Sequence, residues 1–290
     1  MSGYAPQEGR RAERRRQPKQ ERAGMTNSED QGRAAAVDLS APIAASVDTV
    51  WGILTTATGF SEWMEGNVTF EPRAGSPFRA EFPAYQIVLG GKIVEVDPGA
   101  RRLALTWGIE SGPDADVFPA GSSLVELQLR PDGPACRIEL RHTGLRSPEA
   151  AAQQEGGWRF QLSKLDLKAN RADLAAGLDH TLPEWIAAWN EQDAEKRVAA
   201  LRRCCHEDVT FRDEWTALSG TDMLGMHIGN CHHYMPGYSL EHTGDIRICR
   251  GEALVGWRAT GPADQPTKGF NHIQADPDGR IHRVTGFQAG

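Results

Sequence analysis

Apolar residues recur along this chain with two periods, and the period changes in a definite order. Strand-like segments with β-prone residues fall at 35–39, 68–70, 78–82, 86–96, 101–109, 123–129 and 136–143. Alternation of that kind gives a strand one buried face. Clusters such as Gly75-Ser-Pro77, Asp97-Pro-Gly99 and Asp132-Gly133 separate them and suit turn geometry. Helical spacing appears at Val47, Val50, Trp51 and Leu54, behind Ser46 as N-cap. It appears again in a longer helix opened by Ser147-Pro148-Glu149, where Trp158, Leu162 and Leu165 share a face. A polar stretch at 171–180 reads as a linker. Beyond it, Thr181-Leu-Pro-Glu184 has capping-box spacing, with Leu182, Trp185, Ile186 and Trp189 following at helical period. Asp193 caps a helix carrying Val198 and Leu201, and Leu224, His227, Ile228 and Cys231 mark another after a strand at 209–213. The chain then closes on a meander at 238–287 of four strands, the last two joined by the hairpin signal Asp276-Pro-Asp-Gly279.

Hairpins imply antiparallel pairing, and strands do not alternate with helices, so the expected class is α+β. At 290 residues the length allows two domains. They are placed at 34–170 and 181–290.

Composition changes this picture only at the N-terminus. The first 24 residues carry seven basic and three acidic side chains, while the whole chain has a net charge of −7. Residues 1–33 have too few apolar groups to fold alone and read as a disordered basic tail. No nucleic-acid partner is expected beyond weak contacts of this tail; translation starting at Met25 is the other reading. No apolar run approaches a bilayer span. Five cysteines without paired CxxC spacing read as reduced thiols, and the expected location is cytoplasmic.

Pro42 to Trp51, Trp63, Gly91 to Pro98, Arg102 to Trp107 and Gly157-Trp158 with Leu162 and Leu165 resemble the family named for activators of the heat-shock protein 90 ATPase. That family belongs to the START and Bet v 1-like helix-grip (SRPBCC) superfamily. The resemblance implies an antiparallel sheet gripping a long C-terminal helix around an apolar cavity. Ala188-Trp-Asn190 with Asp193, Asp208 to Phe211, Gly220, Met235-Pro-Gly237, Trp257, Asp278 to Ile281 and Gly286-Phe287 resemble the SnoaL-like branch of nuclear transport factor 2-like proteins. This implies an α+β cone, a scaffold shared by polyketide cyclases, steroid isomerases, epoxide hydrolases and many members with no known activity, so fold alone does not select the reaction.

Within such a cone an acid/base pair facing an apolar pocket moves protons next to a carbonyl. Asp213 and His227 are the candidates, because Asp213 shares parity with Val209 and Phe211 and His227 lies on the apolar stripe of its helix. The structural alternatives are a strand-end cap for Asp213 and a hydrogen-bonded core histidine for His227. His272 is the third candidate, with Phe270 and Gln274 on its own face and Asn271 and Ile273 on the other. Trp63, Trp107 and Trp158 in the first half, and Trp185, Trp189, Phe211, Trp257 and Phe270 in the second, are the candidate pocket walls; each is equally suited to a core. Arg141-His142 suits an anionic ligand or a surface. His227, Cys231, His232, His233 and Cys204-Cys205-His206 match no zinc spacing, so no metal and no cofactor is expected. Phosphate-loop, GxSxG and HExxH motifs are not found. The leading expectation is binding of a small hydrophobic or aromatic molecule in the cavities of two concave domains. The alternatives are a cofactor-independent cyclase or isomerase in the second half, and an interaction module dimerising through the second sheet.

Overall fold

The computed structural model describes residues 35–262 and 266–289; the basic tail and Met25 lie outside the described residues. The elements run β1 (Ala35–Ile43), α1 (Val47–Thr55), α2 (Ala57–Met64), β2 (Asn67–Thr69), β3 (Pro77–Phe82), β4 (Ile87–Asp97), β5 (Arg102–Trp107) and β6 (Ile109–Ser111). There follow β7 (Ser123–Asp132), β8 (Ala135–Leu145), α3 (Pro148–Asn190), α4 (Ala194–Cys204), β9 (Cys205–Arg212), β10 (Ala217–Ser219) and α5 (Thr221–Tyr234). The chain ends in β11 (Ser239–Cys249), β12 (Glu252–Thr260), β13 (Thr267–Ala275) and β14 (Ile281–Gln288).

The first sheet is antiparallel, ordered β1-β8-β7-β5-β4-β3-β2, with β6 on β4. Its register places Leu39, Leu140, Leu127 and Leu103 opposite one another across four strands. All four are buried, so a one-residue slip would expose the whole row. Ser46 caps α1 as expected, accepting from the Thr49 backbone N–H. Both short helices and the first half of α3 press Phe60, Trp63, Trp158, Leu162 and Leu165 onto that face. Burying each such side chain contributes about 1.5–3 kcal/mol. The second sheet is ordered β10-β9-β14-β13-β12-β11, antiparallel except where β14 runs parallel to β9. With α4, α5 and the second half of α3 it encloses a separate core. The class is therefore α+β, a sheet gripping a long helix followed by a curled cone.

The linker expected at 171–180 is instead the middle of α3, a 43-residue helix that runs through both halves. Leu174, Leu178, Leu182 and Trp185 fall on one buried stripe that continues across the junction, and tertiary packing overrides the local polarity. The capping box at Thr181 consequently caps nothing; Thr181 is buried inside the helix, and Pro183 removes only one intrahelical hydrogen bond. Gly177 is required here, since a Cβ would sit 2.3 Å from the Asp278 backbone of the β13–β14 hairpin. Asn170 is buried and donates to the carbonyl of Ala44 (2.8 Å) while accepting from the N–H of Gly251 (2.6 Å). Asp166 accepts from the N–H of Ala44 (2.8 Å) and pairs with Arg250 (3.1 Å). Polar side chains just before this stretch of α3 thus stitch the first half to the second, and the described residues form one compact unit.

Candidate functional site

At the open end of the cone lies a cavity of about 200 Å³, bounded by the C-terminus of α3, the ends of β9, β12, β13 and β14, and the start of β11. Strand parity selects its walls. On β12, Ala253, Val255, Trp257 and Ala259 alternate on the inner face, and Trp257 and Ala259 reach the cavity. On β13 the inner residues are Gly269, Asn271 and Ile273, so Asn271 supplies a polar group to the wall. Asn190 fixes the rim by exchanging hydrogen bonds with the backbone of Leu240, donating at 2.8 Å and accepting at 2.7 Å.

Asp213, one residue past β9, reaches this wall. Its Oδ1 accepts the backbone N–H groups of Trp215 (2.9 Å) and Thr216 (2.8 Å), the strand-end cap weighed as its structural role. Its Oδ2 is 3.8 Å from His227 Nε2. Asp213 and His227 are 13% and 16% exposed at the side chain, which makes them a shielded pair. Burial pushes the His227 imidazole below its usual range, and the Asp213 carboxylate opposes that shift. Cys231, which lines the cavity, has its Sγ 3.7 Å from His227 Nε2, and burial followed by Asp213 raises its thiol pKa. His227 stands edge-on to Trp189 with centroids 6.1 Å apart, so it forms the layer behind the wall. Two further polar atoms lie here. His232 Nε2 is 2.7 Å from the Trp189 carbonyl oxygen, which accepts only, so Nε2 carries a proton and donates, and Nδ1 is the acceptor of the neutral ring. That Nδ1 and the Trp189 indole N–H are buried without a hydrogen-bond partner among the described residues.

The expected wall residues divide. Trp189, Phe211 and Trp257 line the cavity, whereas Trp185 packs beneath, 6.0 Å from Trp189 and 6.4 Å from Phe211 between ring centroids. Phe270 and His272 belong to the opposite face of β13, because Gly269, Asn271 and Ile273 take the inner positions. There His272 Nε2 meets Glu252 at 2.9 Å and Gln274 donates to the same carboxylate at 2.6 Å. The outer face expected to mediate dimers therefore carries a polar network in this region. Trp215, Tyr238, Met235 and Phe287 also line the cavity, and the sequence reading named none of them as a wall. A tryptophan inside the polar loop Asp213-Glu-Trp-Thr216, 68% exposed at the rim, was the available signal.

In the first half, Trp63, Trp107 and Trp158 are core. Trp63 donates to the carbonyl of Gln161 (2.7 Å), and Phe60, Phe78, Trp107 and Trp158 stack in succession between sheet and helices. His142, read as a surface or anion-binding residue, is fully buried. Trp158 Nε1–H donates to its Nδ1 (3.0 Å), so Nε2 carries the proton and donates to Ser123 Oγ (2.8 Å). Ser123 in turn donates to the carbonyl of Trp107 (2.9 Å). Burial lowers the His142 pKa to about 4. Arg141 stays on the surface beside Asp38.

Residues 44–167 match the model of the family described as Activator of Hsp90 ATPase homolog 1-like protein. The first half of the chain resembles that family. Among solved structures, a proposed isomerase of the SnoaL-like family from Agrobacterium tumefaciens is 24% identical, with 39% of this chain and 98% of that chain covered and a TM-score of 0.37. The AHSA1-like protein RHE_CH02687 from Rhizobium etli is 28% identical over 48% of this chain and 84% of its own, with a TM-score of 0.37. DynU16, described with the dynemicin biosynthetic locus, is 16% identical and covers 88% of this chain and 86% of its own, with a TM-score of 0.39. No curated protein matches. No helix of the described residues is long and apolar enough to cross a membrane.

Proposed function

We propose that the chain binds a small, flat, largely apolar molecule in the cone cavity. The observation that carries this reading is the cavity itself, about 200 Å³ with Trp189, Phe211, Trp215 and Trp257 in its walls. Aromatic walls with a few fixed polar groups are the usual composition of a small-molecule site. Asn271, Asp213, the unpaired Trp189 N–H and His232 Nδ1 suit a ligand bearing a carbonyl and a hydroxyl, since a buried polar atom left unpaired costs about 1–3 kcal/mol. The aromatic groups of the first half serve packing, so binding is assigned to the second half. Equilibrium dialysis with a naphthol-type probe tests this reading: saturable binding with one site per chain supports it, and linear partitioning rejects it.

The Asp213–His227 contact favours a second reading, a cofactor-independent isomerase or cyclase. Asp213 Oδ2 would take a proton from the carbon next to a ligand carbonyl and return it to another carbon of the enolate so formed, whose oxygen the Trp189 N–H would hold, while His227 positions the carboxylate. Asp213→Asn separates the readings, because Asn keeps the turn-capping oxygen and removes the base. Under the binding reading the affinity stays within about threefold, less than 1 kcal/mol. Under the catalytic reading turnover disappears while the affinity stays.

A further inference from the structure

We propose that His206, Asp276 and His282 form a binding site for a divalent metal ion of the zinc type at the closed end of the cone. The sequence suggested a metal, if anywhere, at His227 and Cys231, where the helix offers two donors. The topology assembles a better set elsewhere. Ile281 and Cys205 pair across the parallel strands β14 and β9, so the residues that follow them, His282 and His206, emerge side by side. Their rings stack with centroids 3.9 Å apart and planes 13° apart. Asp276, which opens the β13–β14 hairpin, lies across both: His206 Nε2 is 2.9 Å from Oδ2 and His282 Nε2 is 2.6 Å from Oδ1. The donor atoms of the three residues all lie within 4.8 Å of one another.

Two imidazoles and a carboxylate are a donor set used by Zn²⁺ and its neighbours in the first transition row, with metal–ligand distances of about 2.0–2.2 Å. Ligands on one tetrahedral ion stand roughly 3.3 Å apart at those distances, so the carboxylate–imidazole contacts of 2.9 and 2.6 Å open slightly around the ion, and the Nε2 protons that now meet the carboxylate move to Nδ1 or are released. Side-chain exposures of 29% for His206, 22% for Asp276 and 46% for His282 leave one side open to solvent, where water completes the shell. The backbone holds the donors in place without the ion. The N–H of Asp276 donates to the carbonyl of Arg280 (3.0 Å), and the N–H of Gly279 donates to the carbonyl of Asp276 (2.8 Å). Arg280 Nε donates to the carbonyl of Cys205 (3.2 Å), tying the hairpin to the residue before His206. Gly177 of α3 packs directly against the hairpin from behind. Such preorganisation lowers the cost of closing three ligands on an ion.

The opposite ends of β13 and β14, at Thr267 and Phe287, border the ligand cavity, so this site is remote from it. Its effect is a clamp joining β9 to the last hairpin. The ion binds the folded chain through residues that meet only when β9 pairs with the last hairpin, so it raises stability by mass action.

The test uses full-length protein, purified without an affinity tag and stripped with chelator, titrated with Co²⁺ by visible absorption and with Zn²⁺ by calorimetry. Expected are d–d bands of a low-coordinate site, one equivalent of Zn²⁺ bound with at least micromolar affinity, and a higher melting temperature. His282→Gln and Asp276→Asn each lower that affinity at least tenfold and abolish the melting shift. His282 is half exposed, so its variant keeps the fold, which circular dichroism verifies. Absence of stoichiometric binding, or binding undiminished in both variants, overturns the proposal.

Discussion

Acidification acts on the first half of the molecule through His142. The imidazole is wholly buried, its Nδ1 accepts from Trp158 and its Nε2–H donates to Ser123, so both nitrogens are satisfied only in the neutral form. Burial lowers its pKa from 6.5 to about 4. Between these values the unfolded chain binds a proton that the folded chain refuses. Stability therefore rises with pH across this window, is fully present above about 6.5, and has lost the His142 contribution below about 4. At about 1.4 kcal/mol per unit the swing is about 3 kcal/mol. Carboxylates titrate in the same range, so the effect is isolated by difference. Urea unfolding of the wild type and of His142→Gln, followed by circular dichroism at pH 7.5, 6, 5 and 4, gives the gap in stability at each pH. The wild type leads at pH 7.5, because Gln cannot reproduce both hydrogen bonds, and its lead shrinks by about 3 kcal/mol on reaching pH 4. A gap independent of pH, or an NMR titration of His142 near 6.5, would refute the buried neutral imidazole.

Three further outcomes follow from the same geometry. Gly177→Ala forces a methyl group into the backbone of the last hairpin and costs about 1–3 kcal/mol, read as a melting temperature several degrees lower. Asn170→Ala leaves the carbonyl of Ala44 and the N–H of Gly251 without their partner. Its cost of about 1–3 kcal/mol is measured by urea unfolding, and an unchanged midpoint would show that the junction does not depend on this bridge. Phe270→Ser, on the outer face of β13, leaves probe affinity in the cone unchanged, whereas Trp257→Ser on the inner face of β12 weakens it at least tenfold in equilibrium dialysis.

Local pattern was a good guide wherever one element met one face. The alternation of the strands, the caps at Ser46, Ser147 and Asp193, and the four-strand meander all correspond to elements of the fold. The stretch at 171–180 misled because Asp173, like Asn170 just before the stretch, is polar for a tertiary reason, binding the backbone of the β1–α1 turn, which spacing along one segment does not display. On the site, parity at β9 brought Asp213 to the cavity wall, and the helical stripe put His227 behind it. Parity could not choose between the faces of β13; the long-range pairing with β12 and β14 sets Asn271 inward and Phe270 and His272 outward. His206 and His282 lie 76 positions apart and meet only through the parallel β9–β14 pairing, a contact invisible to motif spacing.

The central claim is that the cone cavity, rather than the first half, holds the ligand. Equilibrium dialysis of a naphthol probe against the wild type, Ala259→Trp and Ala169→Val decides it, since Ala259 lines the cavity and Ala169 is buried in the first core. One saturable site is expected in the wild type, with affinity at least tenfold weaker in Ala259→Trp and little change in Ala169→Val. Equal binding by the wild type and Ala259→Trp, or loss of binding confined to Ala169→Val, would contradict it.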